Sequence, residues 1–147
     1  EVPREVELSL GLDAFLPEDY VPDEAQRLSI YRKLSEAGPG EVEEIEEELR
    51  DRFGRLPEEA KALIEATRLR EMAKRAGARS LGLEDGTLVL EFPEPPGREA
   101  LLELVRRSEV VPRFELSGGL RVEVPLTSGE HLEEARRILE ILVGEKS

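Results

Sequence analysis

At Gly77 the spacing of apolar residues along the chain changes. After an opening strand-like stretch and an aperiodic connection, apolar residues recur every three or four positions up to that glycine, the period of a helix with one covered face. Beyond it, alternation of apolar and polar residues becomes frequent, the period of a strand. Val42, Ile45, Leu49 and Phe53 typify the first pattern, and Leu120, Val122, Val124 and Leu126 the second. Patterns segregated in this way imply an α+β fold rather than a strictly alternating βαβ chain.

Val6, Leu8 and Leu10 alternate with Glu5, Glu7 and Ser9, which predicts a short strand that joins the later sheet. Residues 11–22 carry Leu12, Phe15, Leu16, Tyr20 and Val21 without a period, and Pro17 and Pro22 oppose a long helix. They read as an ordered connection packed by its own side chains. Asp23 with Gln26 has the spacing of a capping box, and Leu28, Tyr31 and Leu34, flanked by Ile30, supply the expected buried stripe of a first helix. Gly38-Pro39-Gly40 ends it. A second helix follows over residues 41–53, closed by Gly54. Leu56-Pro57-Glu58-Glu59 opens a third, running to about Ala76 with Ala60, Leu63, Ile64, Thr67, Met72 and Ala73 inward. Arg68, Arg70, Lys74 and Arg75 crowd its second half, where cations suit the helix dipole and neutralise nearby Glu.

Beyond Gly77, Leu81-Gly82-Leu83 and Leu88-Val89-Leu90-Glu91-Phe92 flank Asp85-Gly86, a two-residue hairpin signal. A short helix over residues 98–108 rests on Leu101, Leu104 and Val105. A second hairpin turns at Gly118-Gly119 between Phe114/Leu116 and the 120–126 strand. The last helix buries Leu132, Ala135, Ile138, Leu139 and Leu142, with Thr127 and Glu130, or Ser128, as its cap. The expected architecture is therefore an N-terminal strand and three helices, then two hairpin–helix units forming a mainly antiparallel sheet covered by helices. It forms one domain over residues 1–147, helical over 12–77 and hairpin–helix over 78–147.

The net charge of −13 is unevenly placed: residues 1–59 hold 18 acidic and 7 basic side chains, residues 60–147 hold 16 and 14. On the second helix, Glu44, Glu47, Glu48 and Asp51 fall opposite the apolar stripe. Such a face is either solvated surface or a docking surface for a basic partner, and it repels phosphate, which opposes direct nucleic-acid binding. Cysteine is absent, which removes disulfide and thiolate chemistry and suits an intracellular, cytoplasmic setting. Asparagine is also absent, Gln26 is the one glutamine, and 37% of residues are charged, a composition expected of a thermophile. No segment reads as a signal peptide or a membrane span. The opening at Glu1 on a strand pattern suggests a piece of a longer protein.

The inventory for catalysis is thin. His131 is the one histidine and sits in the first turn of a helix, where an exposed polar residue is expected rather than a base. There is no nucleophile elbow and no phosphate-binding loop. Glu44 and Glu48 are one turn apart but have no His or Asn nearby to complete a metal site, so neither metal nor cofactor is expected. Residue chemistry points to a non-catalytic interaction domain.

Two stretches sharpen this. Leu16-Pro17-Glu18-Asp19-Tyr20-Val21-Pro22-Asp23, followed by Arg27-Leu28-Ser29-Ile30-Tyr31-Arg32-Lys33-Leu34, resembles the opening of the C-terminal domain of the bacterial transcription-repair coupling factors (the Mfd, or TRCF, family). The segment from Glu43-Glu44-Ile45 through Glu48-Leu49-Arg50-Asp51-Arg52-Phe53-Gly54-Arg55-Leu56-Pro57 resembles the next part of that domain. The resemblance spans roughly residues 5–75. It implies a parent that is an ATP-driven DNA translocase acting on stalled RNA polymerase and recruiting excision repair. Within that parent, this domain would be a regulatory module without the motor. It would dock on the N-terminal repair module of the same protein and mask the surface that binds UvrA.

Repair modules of this family present arginines, which pair well with carboxylates. Glu44, Glu47, Glu48 and Asp51 are accordingly the expected docking face, Glu48 and Asp51 foremost. UvrA and RNA polymerase would be reached only through the parent, and the isolated domain is expected to be monomeric. Two other readings stay open: a nucleic-acid mimic, and an enzyme acting on a small cationic substrate in an acidic cleft.

Overall fold

The computed structural model describes residues 6–11, 13–116 and 118–144. The expected parts played by Glu5 in the opening strand and Leu12 in the connection after it lie outside the described residues. In chain order the elements are β1 (Glu7–Ser9), α1 (Glu24–Glu36), α2 (Glu41–Phe53), α3 (Glu58–Ala76), β2 (Ser80–Glu84), β3 (Thr87–Phe92), α4 (Arg98–Arg107), β4 (Arg113–Leu116), β5 (Leu120–Pro125) and α5 (His131–Val143). The fold class is α+β. Two compact units result, one of residues 12–71 and one of residues 1–11 with 72–147.

In the helical unit, Leu16, Val21, Ile30, Leu34, Val42, Ile45, Leu49, Leu56, Ala60 and Ile64 form one buried cluster. The connection before α1 is ordered, as its apolar content predicts. Tyr20 and Val21 both donate backbone N–H groups to the Pro17 carbonyl, at 3.1 and 3.0 Å, and the Leu16 N–H donates to the Tyr31 hydroxyl at 2.7 Å. Asp23 caps α1 by accepting from the Ala25 N–H at 2.9 Å.

The stripe of α1 differs from expectation, for Leu28 is 64% exposed. Leu28 lies about 120° around the helix from Leu34. The inward positions are instead Arg27, Ile30, Tyr31 and Leu34, spaced three, one and three apart. An arginine occupies an apolar slot because its guanidinium folds back onto the Val21 and Pro22 carbonyls, at 2.7 and 3.1 Å. The third helix buries Ala60, Ile64, Thr67, Met72 and Ala73, and also Ala66 and Leu69, which the sequence pattern left out. The Thr67 hydroxyl is satisfied by the Leu63 carbonyl at 2.8 Å.

In the sheet unit the strand order is β1-β2-β3-β5-β4, with β1 parallel to β2 and every other pair antiparallel. The opening strand joins the sheet as anticipated. At the first turn, Asp85 and Gly86 take φ of +49° and +74°, the mirror-image turn that matches strand twist. At the second, Gly119 has φ +140°, and any Cβ there would overlap the backbone carbonyl of Phe92. Only glycine fits.

Rows of neighbours across the ladder divide the residues by face. Leu8, Leu81, Leu90, Val122 and Phe114 form one row of the apolar face, while Ser80, Glu91, Arg121 and Glu115 form one of the polar face. The apolar face and the buried sides of α4 (Leu104) and α5 (Ala135, Ile138, Leu139, Leu142) form the core of this unit. Neither Thr127 nor Glu130 caps α5 with its side chain. Glu134 reaches back to accept from the Thr127 and Ser128 N–H groups, and Ser128 accepts from the Glu130 N–H at 2.9 Å.

Candidate functional site: an acidic helix face

The helix α2 is built to hold charge. Glu41, Glu43 and Glu44 occupy its first turn, and Arg50 and Arg52 its last, each sign against the favourable end of the dipole. Gly40 at its N-terminus has no side chain to cap with, and Glu41 accepts from the Gly38 N–H at 2.6 Å instead. Val42, Ile45 and Leu49 are buried and Phe53 partly so.

The far end of α2 is tied to the loop before α1. Gly54, at φ +88°, donates its N–H to the Arg50 carbonyl, and the Tyr20 hydroxyl reaches the Leu49 and Gly54 carbonyls at 3.2 and 2.8 Å. The Tyr20 ring packs on Phe53 at 5.8 Å between centroids, and the Arg52 guanidinium lies over the Phe53 ring at 5.0 Å. Partial burial raises the Tyr20 hydroxyl above its usual pKa, although Arg50 pulls the other way, so it is a neutral donor to these carbonyls. The Leu-Pro-Glu-Asp-Tyr and Asp-Arg-Phe-Gly signatures are thus the two halves of one structural contact. That role for Tyr20 was not apparent in sequence, because nothing local links it to a helix terminus 34 residues away.

On one flank of α2 the carboxylates are neutralised from α3. Arg68, with its side chain only 12% exposed, meets Glu43 at 2.8 Å, Glu46 at 3.3 Å and Glu65 at 2.6 Å. Desolvation alone would lower its pKa, but the bond to Glu43 and the charge of Glu65 outweigh it and hold the guanidinium more firmly protonated than usual. Glu46 also pairs with Arg50 at 2.8 Å. Arg68 thus neutralises glutamates, as its crowded basic setting suggested, while Arg70 donates to the Leu34 carbonyl at 3.1 Å.

The four expected site residues lie on the remaining face at positions 44, 47, 48 and 51, three, one and three residues apart, which helical geometry places within about 100° of arc. They are not equivalent. Glu48 is half-buried and engaged by Arg52 at 3.0 Å and Lys33 of α1 at 3.3 Å. The Arg52 hydrogen bond, helped by Lys33, outweighs desolvation and holds its carboxyl below the usual range. Glu44, Glu47 and Asp51 are exposed and, among the described residues, carry no salt bridge. Glu44 and Glu48, with Glu36, Glu41, Lys33, Ala37 and Ile45, line an open hollow of about 370 Å³. No group of three or more His, Cys, Asp or Glu suited to a metal ion occurs among the described residues. His131 is exposed at the start of α5. No described helix is long and apolar enough to cross a membrane.

Comparison with known proteins bears directly on this arrangement. The TRCF domain family matches residues 10–100, which include both signatures and the whole of α2. The chain belongs to the TRCF domain family. It is 36% identical to the transcription-repair-coupling factor of Myxococcus xanthus over 148 aligned residues, covering 95% of this chain and 12% of that protein. It is 40% identical to that of Escherichia coli (strain K12) over 92 residues, covering 62% of this chain and 8% of that one. The chain thus spans about a tenth of the length of these relatives. In fold it matches the crystal structure of the C-terminal domain of a transcription-repair coupling factor, with a TM-score of 0.80, 21% identity, and 96% and 93% of the two chains covered. The fold of the chain is that of this C-terminal domain, not of a translocase motor.

Proposed function

We propose that this TRCF domain is a non-catalytic, autoinhibitory docking module within a transcription-repair coupling translocase. It binds the N-terminal repair module of the same protein through the outer face of α2 and so masks the surface that UvrA would occupy. The observation that carries this is the sorting of carboxylates on one helix. Glu43 and Glu46 are matched from α3, and Glu48 is steadied by Lys33 and Arg52. Glu44, Glu47 and Asp51 are left facing solvent without internal cations among the described residues.

Arginines on a partner would complete that face in bidentate fashion. A single rim ion pair contributes about 0–1 kcal/mol, so three or four together reach a coupling of about 1–3 kcal/mol, enough to suppress a competing ligand and still release. The low-lying carboxyl of Glu48 is an ionised acceptor at neutral pH, which suits docking better than proton transfer.

The test mixes this domain with the isolated repair module across a salt series. Affinity should fall as ionic strength shortens the ~10 Å screening length of 0.1 M salt, and Glu48→Arg/Asp51→Arg should lower it at least tenfold. Because Glu48 also has internal partners, Glu47→Arg/Asp51→Arg is the companion variant that leaves them intact. Undiminished affinity in both would sink the assignment. Loss of repair-module binding without any gain in UvrA binding by the parent would retain docking and remove the masking role.

A further inference from the structure

The outer edge of β4 is the least covered part of the sheet. The strand is paired only to β5 among the described residues, and all four of its residues are exposed, Phe114 at 42% and Leu116 at 80%. A strand edge with open backbone groups and two exposed apolar side chains is a template for another strand. We propose that this edge pairs antiparallel with the same edge of a second copy of the chain, about a two-fold axis at Phe114. The weak dimer so formed joins two sheets into one.

Register argues for a second copy as the occupant. With Phe114 opposite Phe114, Arg113 of each copy faces Glu115 of the other, so the joint gains two opposite-charge pairs around an aromatic pair. Both faces then continue across it. The apolar row reads Leu81, Leu90, Val122, Phe114 and onward into the same residues of the second copy in reverse. The polar row reads Glu91, Arg121, Glu115 and then Arg113 and Glu123 of the second copy, alternating in sign. Two-fold registers centred on Arg113 or Glu115 place like charges opposite one another, and a one-residue slip sets Phe114 against Glu115. Pro112, which has no N–H, stops the ladder beyond this short run. So short a joint belongs with weak interfaces of less than roughly 1,200 Å², and at low concentration the isolated chain stays a monomer.

The inference is independent of the α2 docking face, and salt separates the two. Each copy carries −13, so screening strengthens self-association while it weakens docking. Sedimentation equilibrium of this chain from about 10 μM to about 1 mM, the range of such interfaces, should show a monomer–dimer equilibrium that Phe114→Asp abolishes with an unchanged circular dichroism spectrum. The chain has no cysteine, so Phe114→Cys supplies a sole thiol at the two-fold. Under mild oxidation it should form a covalent dimer at least tenfold faster than Leu116→Cys or Val111→Cys, which are more exposed but off the axis. A monomer at every concentration, or equal cross-linking of all three thiols, overturns the proposal.

Discussion

The two units treat charge in opposite ways. On the open face of the sheet, charged side chains answer one another: Arg121 meets Glu91 at 3.0 Å and Glu123 at 2.9 Å, and Arg113 approaches Glu123 at 3.9 Å. Their effect is local, with the Arg121 hydrogen bond holding the Glu123 carboxyl below its usual range. In the helical unit, Glu43, Glu46 and Glu48 of α2 are matched by Arg68, Arg50, Arg52 and Lys33, while its outer face keeps Glu44, Glu47 and Asp51 in solvent. Abundance of charge therefore says little about function. What distinguishes a candidate docking face is charge that the fold leaves unmatched beside charge that it matches carefully.

That contrast can be broken from either side. The largest effect is expected at Arg68, where Arg68→Met removes the guanidinium shared by Glu43, Glu46 and Glu65. Stripping the one well-covered cation from three partly exposed carboxylates costs about 3 kcal/mol at most, and chemical denaturation should show a lower midpoint. If stability is unchanged, the flank is not held by that cluster.

On the sheet side, Gly119→Ala forces a Cβ into the Phe92 carbonyl and should cost roughly 2–3 kcal/mol, read by the same denaturation. Next comes Tyr20→Phe, which deletes only the hydroxyl on Leu49 and Gly54. A loss of about 1 kcal/mol is expected, with faster amide exchange of the Gly54 and Arg55 N–H groups. No change would mean that the two signatures are joined by packing alone.

The smallest effect concerns Glu48. Its folded pKa is depressed, so its pairs with Arg52 and Lys33 contribute above the ordinary carboxylate pKa and are lost as pH falls through the folded value. Side-chain carbonyl NMR should find Glu48 titrating below the ordinary carboxylate range, and Arg52→Met should return most of the shift, the hydrogen bond to Arg52 being its largest cause. A Glu48 that titrates at the ordinary carboxylate value would erase the distinction drawn for it on this face.

Much of the fold was legible because its signals are local. Asp85-Gly86 names its turn type by itself and places β2 and β3 on either side, Gly54 closes α2 where the apolar stripe stops, and alternation marks β5. The stripe of α1 was misread at Leu28 because an arginine stood in an inward position, and apolar counting cannot see a guanidinium that folds onto carbonyls. The start of α5 is legible only in part: Ser128 accepts from the Glu130 N–H, whereas Glu134 reaches seven residues back to Thr127, outside the usual capping spacing.

For the candidate site, sequence alone determined that Glu44, Glu47, Glu48 and Asp51 share one face of one helix, since that follows from 3.6 residues per turn. Helical spacing also offers Arg52, four residues on, as a partner for Glu48, but only the tertiary structure adds Lys33 to Glu48 and leaves the other three without a cation among the described residues. Lys33 reaches Glu48 from 15 residues away and Arg68 reaches Glu43 from 25, distances along the chain at which no periodicity operates. Helical spacing is set by backbone geometry within a turn or two. Charge pairing is set by whichever helices the core brings side by side, and here the burial of Ile30, Leu34, Val42, Ile45, Leu49 and Ile64 does so.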